Sequence, residues 1–262
     1  MRTDHKPRPG AKPDRPRLAG PGAELLFGRN AVVESLRGRR THQRLLIAEG
    51  VRQDARIRDI ERTAENAGLP IDMVPRLLLD DAVRGPRHQG VALVTSVYPY
   101  ADENDLLESG RSILVLDHVQ DPQNLGTLLR SAEVFGVTGV VLPRDRSATI
   151  TPAVVNSSAG AVEHLQVAQV TNVGRMLEKM KRAGYWIVGL DNVSEAKPLE
   201  SIAVPIPFGL VIGSEGAGMS PSIAGRCDFL ARIEQTGRID SLNAAVAGSI
   251  ALYWLTKPAR QG

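Results

Sequence analysis

Three short segments carry the residues best suited to chemistry. In DPQNLGTLLRSAE (121–133), Asn124 and Arg130 stand six apart, with Gly126 between them permitting close backbone approach. An otherwise apolar helix does not need an arginine in its first two turns. In LVIGSEGAGMS (210–220), an apolar run breaks into Gly213, Ser214, Glu215, Gly216 and Gly218, one acid among glycines that leave room for a ligand against the backbone. In RIDSLNAAVAGSIALYW (238–254), Ser241 and Asn243 flank Leu242 at a helix start, neutral hydrogen-bonding groups suited to a polar ligand without added charge. Each segment also has a plainer reading. Arg130 alone reads as a solvated helix charge, Asn124 as an N-cap, the glycine run as a tight loop, and the third segment as an N-capped core helix.

Several familiar signatures are missing. No G-x-x-x-x-G-K-[ST] run, no H-E-x-x-H and no C-x-x-C pair occurs, and neither half has G-x-G-x-x-G after its first strand. A P-loop and an ordinary dinucleotide site are therefore not expected. Cys227 is the single cysteine of the chain, so it forms no internal disulfide and no multi-cysteine zinc site, which fits a reducing compartment.

The three segments must be held by a scaffold, and each falls at the predicted C-terminal end of a strand. The second half alternates apolar strands (112–119, 139–143, 164–170, 185–191, 208–213 and 229–233) with helical stretches, ending in a helix from Ser241 to about Leu255. That alternation predicts an α/β fold with a mostly parallel sheet covered on both faces. The first half reads as a smaller αβαβαβ unit, with helices at 28–40, 54–68 and 75–83 and strands at 44–50, 70–74 and 90–97. Domain boundaries follow: an arm at 1–23, a first domain at 24–97, a polar linker at 98–110 and a second domain at 111–262.

The chain of 262 residues is 42% hydrophobic and 23% charged, a composition that excludes collagen and disorder throughout. No run approaches the ~18 apolar residues of a membrane span, and the basic start lacks the apolar core of a secretory signal. A soluble, cytoplasmic protein with no membrane partner is expected. The arm is net +4 with five prolines and no aromatic residue, and so cannot bury enough apolar surface to order itself. It reads either as a tether to an acidic polymer such as RNA or as a solubilising tail. Residues 24–97 are net +2 and 98–262 net −3, a hint of different duties.

Taken jointly, N-x-G-x-x-x-R, G-S-E-G-x-G and S-L-N-x-A-x-A, in this order over 112–257, resemble the SpoU (TrmH-type) RNA ribose 2′-O-methyltransferases of the SPOUT superfamily. The first unit, with G-R-N-A-V near its start and H-Q-G-V at 88–91, is similar to that family's L30e-like substrate-binding domain. The subgroup it most resembles methylates a guanosine ribose in large-subunit (23S) rRNA.

The resemblance implies a trefoil-knotted second domain that binds S-adenosylmethionine, a homodimer with the final helix near its interface, and a metal-free in-line attack of a ribose 2′-oxygen on the donor's methyl. By the same resemblance, the catalytic positions are Asn124, Arg130, Glu215, Ser241 and Asn243. Cofactor contacts map to Leu190, Gly213, Ser214, Gly216, Ile233 and Leu242, largely through main-chain groups. Arg130 would bind the target phosphate and stabilise oxyanion charge rather than act as a base, since guanidinium stays protonated above pH ~12. The arm with Arg29, Arg37, Arg39, Arg40 and Arg87 would grip RNA phosphates. Two alternatives stand beside this reading: a tRNA ribose methyltransferase, against which the separate first domain argues, and a non-catalytic RNA-binding assembly factor, against which the five intact positions argue.

Overall fold

The computed structural model describes residues 18–214, 218–238 and 241–257. Expectations for the N-terminal arm up to residue 17, and for Glu215 and Gly216, lie outside the described residues. The elements run β1 (Ala23–Phe27), α1 (Arg29–Leu36), β2 (His42–Ala48), α2 (Ala55–Asn66), β3 (Ile71–Val74), α3 (Arg76–Val83) and β4 (Val91–Ser96) in the front unit. Then come α4 (Glu103–Glu108), β5 (Ile113–Leu116), α5 (Pro122–Val134), β6 (Gly139–Pro143), α6 (Pro152–Ser157), β7 (Gln166–Val170) and α7 (Val173–Arg182). The chain continues through β8 (Trp186–Leu190), β9 (Lys197–Pro198), β10 (Phe208–Ile212), α8 (Pro221–Ala224), β11 (Phe229–Arg232) and α9 (Ala244–Thr256).

Branched apolar runs build both sheets. The front sheet has the order β1-β4-β2-β3, with β4 antiparallel to both neighbours and β2 parallel to β3. Its first strand is not recognisable in the sequence, because AELLF is short, lacks alternation and follows a glycine-proline turn. Leu18 and Ala19 pack against this sheet, and Arg44 donates to the Leu18 carbonyl at 3.0 Å, so the arm's last residues join the front unit.

The second sheet runs β7-β6-β5-β10-β8-β11-β9, and every pairing in it is parallel. Strands β5, β6 and β10 are buried throughout, as continuous apolar runs covered by helices must be. The four neighbours β5, β10, β8 and β11 all end on the same edge, where open parallel sheets place their sites. Helix α9 lies along α5, and the Ser131 and Ser249 hydroxyls bond to each other across this packing at 2.7 Å.

Two helix starts differ from the sequence reading. Helix α5 begins at Pro122, with Asp121 as its cap, because proline at the first helical position costs no hydrogen bond. Helix α9 begins at Ala244 with Asn243 as its cap, rather than at Ser241. Residues 98–110, read as a polar linker, contain α4, whose Leu106 is fully buried.

One continuous apolar core runs through both units, joining Val32 and Leu93 of the front unit to Val154 and Val162 behind. Arg40 spans the junction. Its guanidinium bonds both carboxylate oxygens of Glu163 at 3.0 and 3.1 Å, Glu24 at 2.6 Å and the Ser96 carbonyl at 2.9 Å, with the side chains of Arg40 and Glu163 each 1% exposed.

Candidate active site

The edge shared by β8, β10 and β11 opens into a cavity of about 520 Å³. Leu190 ends β8 at its rim, Gly213 and Ser214 follow β10, Ile233 follows β11, and Ser241, Leu242 and Asn243 lead into α9. These seven sequence-predicted residues, 190 to 243 in the chain, therefore meet in one place. Leu190, Ile212, Leu242 and Ala247 supply apolar walls, and the strand ends supply main-chain polar groups.

Local bonding explains the spacing. After β10 the chain folds back on itself: Ser214 and Gly218 exchange backbone hydrogen bonds of 3.1 and 3.0 Å, and the Ser214 hydroxyl donates to the Gly218 carbonyl at 3.3 Å. A Cβ on Gly213 would lie 2.4 Å from the Gly218 backbone, so this glycine is required by the turn itself. Asp191 fastens the turn to β8, accepting from the Asn192 N–H at 2.8 Å and the Met219 N–H at 3.4 Å.

Asn243 does two jobs. Its Oδ1 accepts from the Ala245 and Val246 N–H groups at 2.9 and 3.1 Å, satisfying the open end of α9. Its Nδ2 donates to Asn124 Oδ1 at 3.0 Å, which ties the first turn of α5 to the cavity. The first and third sequence segments thus touch through two amides.

Arg130 is placed elsewhere. It is exposed on α5 and lines a separate hollow with Thr127, Ser131, Val134, Phe135 and Ser157, with no polar partner among the described residues. Within one chain it does not reach the cavity that gathers Ser241 and Asn243. Gly126 faces a third way: a Cβ there would meet Ser157 Oγ at 1.9 Å and its backbone carbon at 2.8 Å, so this glycine lets α5 lie against α6.

Sequence reading missed Asp191, Asn192 and Gln235, which also line the cavity. A signal existed for the first two, since an Asp-Asn pair directly after an apolar strand sits on the site edge of a parallel sheet. The expected RNA-gripping arginines need correction. Arg40 is buried in its ion pairs and cannot meet a phosphate. Arg29 pairs with Asp54, Arg37 pairs with Asp59 at 2.7 Å, and Arg39 donates to the Leu165 carbonyl, while Arg87 is exposed. Burial pushes the Cys227 thiol up to about 12, so it is no nucleophile.

Residues 111–253 match the SpoU rRNA methylase family, and residues 25–101 match the family described as RNA 2′-O ribose methyltransferase substrate binding. The chain belongs to the SpoU methylase family. It is 39% identical over 236 residues, 88% of this chain and 94% of the relative, to a putative TrmH family tRNA/rRNA methyltransferase, YacO, of Bacillus subtilis. In fold it is similar to an AdoMet-bound rRNA methyltransferase from Sinorhizobium meliloti, with TM-score 0.76 and 24% identity over 89% of this chain and 87% of that one. It is similar as well to the SpoU methyltransferase AviRb from Streptomyces viridochromogenes in complex with AdoMet, with TM-score 0.75 and 24% identity over 90% of each chain. This SpoU-family chain is an RNA methyltransferase, with a substrate-binding domain ahead of its methylase domain.

Proposed function

We propose that this chain methylates the ribose 2′-oxygen of a guanosine in 23S rRNA, as a cytoplasmic homodimer with a knotted second domain. S-adenosylmethionine is the methyl donor, and it supplies an electrophilic methyl group on a sulfonium. The residues present fit it: a cavity of about 520 Å³ lies within the range of small-molecule sites, with apolar walls for a purine and polar strand ends for a ribose and an amino acid. Leu190, Gly213, Ile233 and Leu242 would hold the donor through main-chain groups, with Asp191 and Gln235 added by their place in the lining.

The observation that carries the reading is the Asn124–Asn243 bond beside that cavity, which joins all the described motif segments except Arg130 into one site. Ser241 is exposed on the rim, where it would position the incoming ribose, and methyl transfer then depends chiefly on alignment. Arg130 acts across the homodimer interface, stabilising negative charge on the target oxygen or binding its phosphate. Val134 on α5, with Val246, Ile250 and Tyr253 on α9, leaves an apolar face 40–64% exposed for the second copy to cover. The front domain supports rRNA as the substrate, since a separate substrate-binding unit suits a large folded RNA.

The test is transfer of radiolabelled methyl to 23S rRNA and tRNA transcripts, followed by mapping of the modified ribose. Label at one rRNA guanosine is expected. Label confined to tRNA overturns the rRNA assignment, and RNA binding without label overturns methyl transfer.

A further inference from the structure

A histidine that the motifs leave unused stands at the end of the central strand. Immediately after β5, Asp117 is 5% exposed and its carboxylate lies 2.6 Å from His118 Nδ1. The Asp117 backbone N–H is itself fixed to the Ile212 carbonyl at 2.8 Å, which anchors this acid to β10, the strand that leads into Ser214. His118 has φ +65°, a left-handed conformation that a branched or bulky side chain resists and glycine accepts freely. Its side chain is 41% exposed and its Nε2 has no partner among the described residues. An imidazole whose Nδ1 donates to a buried carboxylate presents a bare, basic Nε2.

The surroundings give that nitrogen something to act on. His118 lines a hollow of about 630 Å³ with Gln120, Asp121, Arg146 and Ser214, and Ser214 is also a wall of the donor cavity. Arg146 faces in from the end of β6 at φ +55°, and its guanidinium has no partner among the described residues. The two loops are locked together where Ala148 N–H and the Ser147 hydroxyl both donate to the Val119 carbonyl, at 2.9 and 3.2 Å. A base and a free cation thus share one cleft that abuts the donor site.

We propose that His118 is the general base of the methyl transfer, taking the ribose 2′-hydroxyl proton on Nε2, with Asp117 holding its tautomer and Arg146 binding a phosphate of the same RNA strand. The inference rests on the methyl-transfer reading above. The bond from the 2′-oxygen to the methyl carbon forms as the carbon–sulfur bond breaks. Sulfur leaves as a neutral thioether, and the hydroxyl proton ends on His118, whose imidazolium sits beside the Asp117 carboxylate. Charge balances without a metal or a co-reactant. This assigns proton removal to an imidazole nitrogen that can offer a lone pair, a task to which the guanidinium of Arg130, which has no acceptor, is unsuited.

His118→Gly is the decisive variant, because glycine accepts φ +65° freely and this relief offsets part of the loss of the bond to Asp117, so the fold should persist. Donor affinity by calorimetry should stay within about twofold, while single-turnover methylation of the RNA transcript falls about 100-fold or more and recovers in part with added imidazole. The protein alone gives a second readout: long-range proton–nitrogen NMR should find the His118 proton on Nδ1, and Asp117→Asn should remove that preference. A glycine variant at wild-type rate, a loss that imidazole does not restore, or a ring protonated on Nε2 overturns the assignment. Wild-type protein that transfers no methyl to rRNA or tRNA overturns the methyl-transfer reading itself, and the base with it.

Discussion

Arg40 distinguishes a structural arginine from an RNA-binding one, and its replacement tests the packing of the two units. Arg40→Ala removes a side chain that is 1% exposed and satisfies Glu163, Glu24 and the Ser96 carbonyl at once. Glu163, also 1% exposed, would be left as a buried charge without its cation. Breaking such a pair from one side costs about 3–5 kcal/mol, which for a chain of this size lowers the melting midpoint by roughly 6–20 °C. Burial, ahead of the opposing pull of Arg40, already holds the Glu163 carboxyl above its ordinary range. The folded state therefore binds this proton more tightly than the unfolded chain does, and its contribution to stability falls as pH rises through the raised value. The Arg40→Ala deficit should accordingly shrink in acid, where a protonated Glu163 no longer needs a cation. Urea unfolding across pH measures the loss, and RNA affinity against salt measures the alternative. A phosphate-binding Arg40 would lower the salt slope by about 0.7–0.9 on its removal, whereas the buried pair predicts no change in slope. A variant as stable as wild type with a reduced slope would refute the reasoning.

Gly126→Ala should destabilise by about 2 kcal/mol, because overpacking against the Ser157 backbone costs up to ~3 kcal/mol and better helix propensity returns about 1; unchanged or higher stability in urea would contradict the close approach of α5 to α6. Gly248→Ala should cost less, since its Cβ would meet only the movable ends of Ile212 and Leu128. Ile250→Asp, on the exposed face of α9, should give a monomer by sedimentation that has lost methyl transfer, and an active monomer refutes the dimer. Deleting residues 1–17, which hold six basic and two acidic side chains, should weaken RNA binding and lower the salt slope by about 0.7 for each phosphate that the arm neutralises. An unchanged slope would make the arm a mere solubilising tail.

Much of this architecture is legible in the sequence because buried parallel strands must be continuous apolar runs, and β5, β6 and β10 are. The cavity residues are legible for a related reason, being the small and polar residues where those runs stop. What the pattern cannot do is rank equivalent candidates. Ser241 and Asn243 are both good caps, and only the reach of Asn243 to Asn124, 119 positions away, decides between them. Arg40 sits in GRR at 38–40 and looks like its neighbour, since its burial depends on Glu163, 123 residues later. His118 looks like an ordinary strand-end histidine because neither its left-handed φ nor its bond to Asp117 leaves a trace in residue type.

The first motif carries an argument about assembly. Six residues of helix advance about 9 Å and turn roughly 240° between Asn124 and Arg130, so the two cannot face one small cavity. The structure uses the helix accordingly: Asn124 meets Asn243, Gly126 meets α6, and Arg130 opens into its own hollow beside exposed apolar residues. A guanidinium that serves the reaction from there must serve a second copy's cavity. Mixing Arg130→Ala chains with Asn243→Ala chains, each inactive as a homodimer, then yields heterodimers in which one site carries both lesions and the other neither. With random pairing in a two-fold dimer, about a quarter of wild-type sites are intact, and methyl transfer should recover to about that level. No recovery, in a mixture shown by mass spectrometry to contain heterodimers, would place Arg130 at its own chain's cavity and remove the need for a partner in the chemistry.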